Sequence, residues 1–245
     1  MGEKKEIYGK IHSYETLGAA DGPGLRFVLF MQGCNLRCKY CHNPDSWAKN
    51  GEAQRVTPEE ISKEILKYKN YFGKKGGLTV SGGEPLLQLD FLIELFRLMK
   101  KSGVNTAIDT SGADYTPADE RYEELFALTD LVILDIKHID DEKCKYLTGK
   151  GNEQTKAFAK RLEELNIPVW IRQVLVPSLT DDENDLKKTR EWLDSLKNVV
   201  KTEILPYHTL GKVKYEKLGV PYPLGDLPTP SQEEVKKAEK ILVGK

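Results

Sequence analysis

The strongest constraint on this chain is an alternation of two periodicities. Six runs rich in β-branched and apolar residues, at 25–31, 78–81, 105–109, 131–136, 169–176 and 199–205, alternate with six stretches of helical amphipathicity, at 58–68, 90–101, 117–128, 154–165, 181–196 and 231–242. Strand then helix, repeated, demands parallel strands joined by right-handed crossovers, with helices packed over the sheet. Six such units make either an open, partial barrel or a doubly wound sheet. A further strand over 7–15 stands outside the repeat. Two helix starts carry their own signal. Thr57-Pro58-Glu59-Glu60 reads as an N-cap with proline in the first turn and an acid three residues on, and Thr229-Pro230-Ser231-Gln232 repeats it with glutamine.

The 245 residues are expected to form one domain, 1–245, because no Gly-, Pro- or Ser-rich linker divides them. The longest irregular stretch, 206–230 with its five prolines, is expected to wrap the surface or rim a cleft. A charged fraction of 31% with a net charge of -1 offers no field for nucleic acid or an anionic membrane. The four lysines within 67–75 read as a solvated helix end. No apolar run approaches the roughly 18 residues of a membrane span. The first eight residues carry charges instead of the apolar stretch of a signal leader, so a cytoplasmic location is expected.

Parallel sheets bind ligands at the carboxyl ends of their strands. Every predicted strand here ends in polar or metal-binding residues. The first is followed by Gln32-Gly33-Cys34 and then Cys38-Lys39-Tyr40-Cys41-His42-Asn43, and the second by Ser81-Gly82-Gly83-Glu84-Pro85. The third ends in Asp109-Thr110-Ser111-Gly112, the fourth in Asp135-Ile136-Lys137, the fifth contains Arg172, and the sixth ends in Pro206-Tyr207-His208.

Three of the four cysteines fall within eight positions, with spacing C-x3-C-x2-C. Disulfides between such neighbours would close only tiny loops, so the cluster reads as metal-binding. Iron–sulfur clusters are held by thiolates, normally four. Three would leave one iron open to a ligand. Zinc held by Cys34, Cys38, Cys41 and His42 is the competing reading, but adjacent Cys41 and His42 are awkward joint ligands and no second pair is present. Cys144 lies far along the chain in a charged helix start and is not expected to contribute.

With Tyr40 just before the last cysteine, the triplet resembles the signature of the radical S-adenosylmethionine (SAM) superfamily. Asp21-Gly22-Pro23-Gly24-Leu25-Arg26, Tyr40-Cys41-His42-Asn43 and Ser81-Gly82-Gly83-Glu84-Pro85 together resemble the glycyl-radical-enzyme activases. Asp109-Thr110-Ser111-Gly112, Leu134-Asp135-Ile136-Lys137, Val169-Trp170-Ile171-Arg172 and Leu205-Pro206-Tyr207-His208 extend the likeness, which runs from about residue 8 to residue 217. A single cysteine beyond the triplet matches activases that lack a ferredoxin-like insert. The resemblance implies a partial (β/α)6 TIM-like barrel with an extra N-terminal strand. It implies a [4Fe–4S] cluster on Cys34, Cys38 and Cys41 that binds SAM and cleaves it to a 5′-deoxyadenosyl radical. The radical's target is a glycine Cα hydrogen on a glycyl radical enzyme, pyruvate formate-lyase foremost, with flavodoxin or ferredoxin as reductant. By the same resemblance Tyr40, His42 and His208 contact SAM, and Gly82 and Gly83 hold its amino group, while Glu84 contacts the ligand or caps the next helix. Asp109, Thr110 and Asp135 hold a monovalent cation beside it. Ile136, Lys137 and Arg172 complete the pocket, the two cations pairing with the SAM carboxylate or with those acids. From the residues alone, Gly82-Gly83 is equally a strand-to-helix turn, the acids and Thr110 are equally N-caps, and Asp21 to Gly24 is equally a simple turn.

Overall fold

The structure is a computed structural model that describes residues 6–48 and 53–244. Residues 1–5, on which part of the leader expectation rests, and residue 245 lie outside it. Its sheet has eight strands: β1 (Gly9–Gly18), β2 (Arg26–Met31), β3 (Gln54–Val56), β4 (Gly77–Gly82), β5 (Asn105–Thr110), β6 (Leu131–Asp135), β7 (Val169–Leu175) and β8 (Val199–Pro206), in the order β3-β1-β2-β4-β5-β6-β7-β8. β2 and β4 to β8 are parallel neighbours, whereas β1 runs antiparallel to both β2 and β3. No pairing joins β8 to β1 or β3, so the barrel is open, one of the two forms the six-unit repeat allows and the one the resemblance implies.

Among the described residues eight α-helices accompany the strands: α1 (Pro58–Leu66), α2 (Leu89–Lys101), α3 (Arg121–Ala127), α4 (Asp141–Thr148), α5 (Glu153–Glu164), α6 (Glu183–Asp194), α7 (Lys212–Leu218) and α8 (Gln232–Leu242). Thr57 caps α1 through the reciprocal bonds with Glu60 that its sequence predicts. At α8 the start moves: Ser231 is the cap, paired with Glu234, and Thr229 lies outside. α3 begins later than expected because Asp119 accepts from the Arg121 backbone N–H at 3.1 Å and holds the preceding residues in a turn. β3 and α7 go unpredicted; at 3 and 7 residues they are too short to show a periodicity. The helix start expected around Cys144 is α4.

Side chains alternate between the two faces of each strand. On the outer face, Val80, Ile108, Val132, Leu134 and Ile171 join the main core with Leu92, Phe96, Leu125, Phe158 and Leu162 from the helices. The inner face carries a separate small plug of Ala107, Leu131, Ile133 and Trp170. Two residues further along the same inner rows stand Asp109, Asp135 and Arg172. Period-two geometry therefore places charge directly above an apolar floor.

The segment between β1 and β2 folds under the strands as Asp21-Gly22-Pro23-Gly24. Fully buried Arg26 fixes it: Nε donates to Thr79 Oγ1 at 2.6 Å, Nη2 donates to Leu78 O at 2.6 Å and Asn105 Oδ1 at 2.9 Å, and Nη1 donates to Pro23 O and Lys75 O at 3.3 Å. Thr79 Oγ1 in turn donates to Asp21 O at 2.6 Å. Burial lowers the Arg26 pKa to about 10, so the guanidinium stays charged at neutral pH. Replacing it (Arg26→Met) strips partners from buried acceptors. Stability is expected to fall by about 3 kcal/mol, read as a lower urea midpoint with an unchanged slope.

Candidate active site

The thiols lie on the loop after β2, and backbone contacts shape it. Gly33 N donates to Ser46 O at 2.7 Å and Cys34 N to Trp47 O at 3.3 Å, so the loop folds back on itself. Gln32 Nε2 seals the return by donating to Asp45 O at 3.0 Å and Ala48 O at 2.9 Å. The outer bend rests on the C-terminal end of α4, where Arg37 N donates to Thr148 O at 2.7 Å and Lys39 N to Leu147 O at 3.0 Å. These are carbonyls a helix end leaves without intrahelical partners. Cys34, Cys38 and Cys41 carry free thiols and all three line one cavity of about 350 Å³.

Burial pushes the thiols up, Cys34 and Cys38 to about 12 and Cys41 in the same direction. They are protonated in the unloaded chain, and loading with metal must release those protons. His42 does not complete a Cys3His set. Its Nε2 is engaged with His208 O at 2.9 Å, and its ring stacks on that of His208 with centroids 3.8 Å apart. Among the described residues no three His, Cys, Asp or Glu side chains converge as for a single ion. Thiols spread around a cavity suit a cluster, in which each binds its own iron. Cys144 is buried in α4, away from this cavity, with its Sγ 4.0 Å from Thr148 Oγ1.

The end of β4 presses against the thiol loop. Gly83 N donates to Met31 O at 2.9 Å, and Glu84 N donates to Gly33 O at 2.8 Å. A Cβ on Gly82, at φ +110°, would stand 2.2 Å from Met31 N, and one on Gly83 2.2 Å from Gly33 O. Glycine is thus required for backbone packing as well as for leaving room at the cavity they line. Glu84 turns the other way, and its buried carboxylate accepts from Thr110 Oγ1 at 2.5 Å, Ser111 Oγ at 2.6 Å, and the N–H groups of Ser111 and Leu86 at 3.2 Å. It braces β4 to β5 and does not line the cavity. Burial raises its pKa.

Above the apolar plug lies the charged layer. Arg172 is 6% exposed; its Nη1 sits 3.6 Å from Asp21 and 3.7 Å from Asp109, its Nε 3.4 Å from Glu203, and its Nη2 donates to Ala20 O. Ser81 Oγ donates to Asp109 at 2.7 Å. Burial, reinforced by the neighbouring charge of Asp135, pushes the Asp109 carboxyl up. Lys137 Nζ donates to Asp135 at 2.8 Å and lies 5.8 Å from the Tyr40 ring centroid. Burial alone would lower the Lys137 pKa, but Asp135 and the neighbouring Tyr40 outweigh it and hold the pKa well above its ordinary value. Burial likewise keeps the Tyr40 phenol neutral.

Of the residues expected at the site, the structure brings the three thiols, Tyr40, His42, Gly82, Gly83, Asp109, Thr110, Asp135, Lys137 and Arg172 around one cavity. Glu84 and Ile136 pack behind it, and His208 backs His42. Two buried polar atoms at its edge, Arg172 Nε and His208 Nδ1, make no hydrogen bond. Three free thiols, a side-chain-free edge at Gly82-Gly83 and a layer of fixed charges fit a three-thiolate iron–sulfur cluster with an amino-acid-bearing ligand. Reading the sequence missed the clamp from the far side. Lys214 of α7 reaches Asn43 Oδ1 at 2.8 Å and Asp45 at 3.0 Å, and Tyr215 meets Trp47 edge-on at 5.7 Å. Nothing local in 206–230 signals that contact.

This fold and thiol loop define a class: the chain belongs to the radical SAM superfamily, whose pattern its residues 28–193 match. Within that superfamily it groups with the pyruvate formate-lyase-activating enzymes. It is 49% identical over 242 residues to that of Streptococcus mutans (97% of this chain, 92% of the relative) and 53% identical over 240 residues to that of Staphylococcus epidermidis (96% of each). A solved domain of a pyruvate-formate lyase-activating enzyme from Bacteroides vulgatus superposes at TM-score 0.57 with 28% identity, covering 69% of this chain and 94% of its own. SuiB of Streptococcus suis, at TM-score 0.66 and 16% identity over 89% of this chain and 45% of its own, shares the fold. Membership implies a [4Fe–4S] cluster and SAM as cofactors.

Two outcomes follow from the packing and the charge. Gly83→Ala drives a methyl into Gly33 O, so anaerobically reconstituted variant is expected to hold less iron and sulfide per chain than the parent. Because the folded state raises the Asp109 pKa, it binds more protons than the unfolded state, and this group's contribution weakens as pH rises. Asp109→Asn removes that loss. The metal-free variant should gain stability relative to the parent as pH climbs from about 4, measured as the difference between their urea midpoints.

Proposed function

We propose that this chain is a glycyl-radical-enzyme activase acting on pyruvate formate-lyase, with Cys34, Cys38 and Cys41 as ligands of its [4Fe–4S] cluster. The observation that carries the reading is the meeting of three free thiols with Gly82-Gly83, Asp109, Asp135, Lys137 and Arg172 around one cavity at the carboxyl ends of the strands. Bound together, the cluster and SAM supply one-electron cleavage of a sulfonium C–S bond and, through it, removal of a glycine Cα hydrogen.

The residues of the chain bind, orient and exclude water. Lys137, kept protonated beside Asp135, offers a cation for a ligand carboxylate. Arg172, held by Asp21, Asp109 and Glu203, closes the floor and holds the carboxylates in place. Gly82 and Gly83 leave backbone groups unshielded for the ligand's amino end. Buried Tyr40 and the stacked, half-buried rings of His42 and His208 form an aromatic wall beside the reacting region. Asp109 and Asp135, near each other and beside Thr110, suit a monovalent cation, which would offset the repulsion that raises the Asp109 pKa. The reductant is read as a flavodoxin or ferredoxin, and the location as cytoplasmic.

The test is anaerobic. Reconstituted protein with dithionite and SAM is expected to release 5′-deoxyadenosine, and with pyruvate formate-lyase to yield a glycyl radical by electron paramagnetic resonance. Alanine at Cys34, Cys38 or Cys41 is expected to abolish both. Cys144→Ala should retain both while losing about 1 kcal/mol of stability. A radical on a different glycyl radical enzyme, with none on pyruvate formate-lyase, would reassign the partner.

A further inference from the structure

One anchor of the thiol loop is a buried acid outside the cavity. Asn35, next to Cys34, donates from Nδ2 to Asp114 Oδ1 at 2.7 Å. Lys150, two residues beyond α4, donates from Nζ to the same oxygen at 2.5 Å. The Asp114 side chain is only 9% exposed, and its Oδ2 is buried with no hydrogen bond. The turn that presents Asp114 is itself rigid. Tyr122 Oη donates to Asp114 O at 3.1 Å, and Ser111 three residues earlier is tied to Glu84.

The other supports of this half of the loop are backbone bonds, such as those from Arg37 N and Lys39 N to the end of α4. The Arg37 side chain hydrogen-bonds only within the loop, to Cys34 O at 2.8 Å and Leu36 O at 2.7 Å. Among the described residues, Asn35 therefore supplies the one side-chain hydrogen bond that ties the stretch from Cys34 to Cys38 to the rest of the protein. Lys150 joins the same oxygen, so one carboxylate links three elements: the thiol loop, the turn after β5 and the turn after α4. A buried carboxylate oxygen without a partner costs stability. Its presence at this junction, one bond from the residue beside Cys34, points to a role other than holding the fold together. Groups that orient metal ligands from behind commonly set how tightly the metal is held.

We propose that Asp114 is a positioning residue for the cluster: acting through Asn35, it sets the spacing of Cys34 and Cys38. The inference rests on the three-thiolate reading above. The probe is reconstituted full-length protein challenged anaerobically with an iron chelator, followed by absorbance, with electron paramagnetic resonance of the reduced cluster alongside. Asp114→Ala and Asn35→Ala are each expected to shorten the half-time of cluster loss roughly tenfold or more and to broaden the resonance. Their double variant should be no worse than Asp114→Ala alone, because that substitution already removes the Asn35 bond along with the one from Lys150. Asp114→Asn keeps an oxygen acceptor for Asn35 and should restore half-time and line shape to near those of the parent, which a role resting on the charge paired with Lys150 would not give. Parent-like behaviour of both alanine variants, or an asparagine variant as labile as the alanine one, overturns the proposal. A parent protein that takes up no four-iron cluster sinks the functional reading itself, and this inference with it.

Discussion

A sheet that curls without closing must fill its concave face from within, and everything at this site depends on how it does so. Ala107, Leu131, Ile133 and Trp170 supply an apolar floor, and the next inward residues on three of those strands are Asp109, Asp135 and Arg172. Water is scarce there, so charges must be paired. Arg172 gathers Asp21, Asp109 and Glu203, and Lys137 takes Asp135. The outcome is a fixed array of paired charge facing a cavity.

The thiol loop is held to that array mainly by backbone. Gly82 and Gly83 let β4 approach Met31 and Gly33 more closely than any side chain would allow, and the end of α4 lends its spare carbonyls to the outer bend. Backbone bonds keep a loop in shape without crowding the cavity with side chains. Glu84 illustrates the division of labour. It belongs to the same short motif as the two glycines, yet it serves as an internal brace whose acceptors are occupied by Thr110, Ser111 and Leu86.

The far wall is built by chain remote in sequence. After β8, the segment carrying His208, Lys214 and Tyr215 crosses to the thiol loop, stacks on His42, reaches Asn43 and Asp45, and packs on Trp47. His12 of β1 meets Asp45 from the opposite side at 3.2 Å. β1 and α7, the helix that follows edge strand β8, are thus linked through Asp45 of the thiol loop.

Much of this was legible in the residues. Strand and helix periodicity specified six parallel units, because a period of two or of 3.6 is a local property of the chain. The cysteine spacing specified a metal loop, because thiolates at such spacing have few other uses. The elements too short for a period, β3 and α7, were not legible, only the start of α4 was, and the residues alone left Glu84 between a ligand contact and a helix cap.

What the sequence determined by itself was the alternation, the thiol triplet and the polar residue at each strand end. The tertiary structure decided which of those residues share a cavity, which carboxylates pair with Arg172, and that Asp114 reaches Asn35. The reason is one of range. Periodicity and spacing act between near neighbours, whereas pairing across a curled sheet depends on which strands the fold sets side by side and how closely their backbones approach.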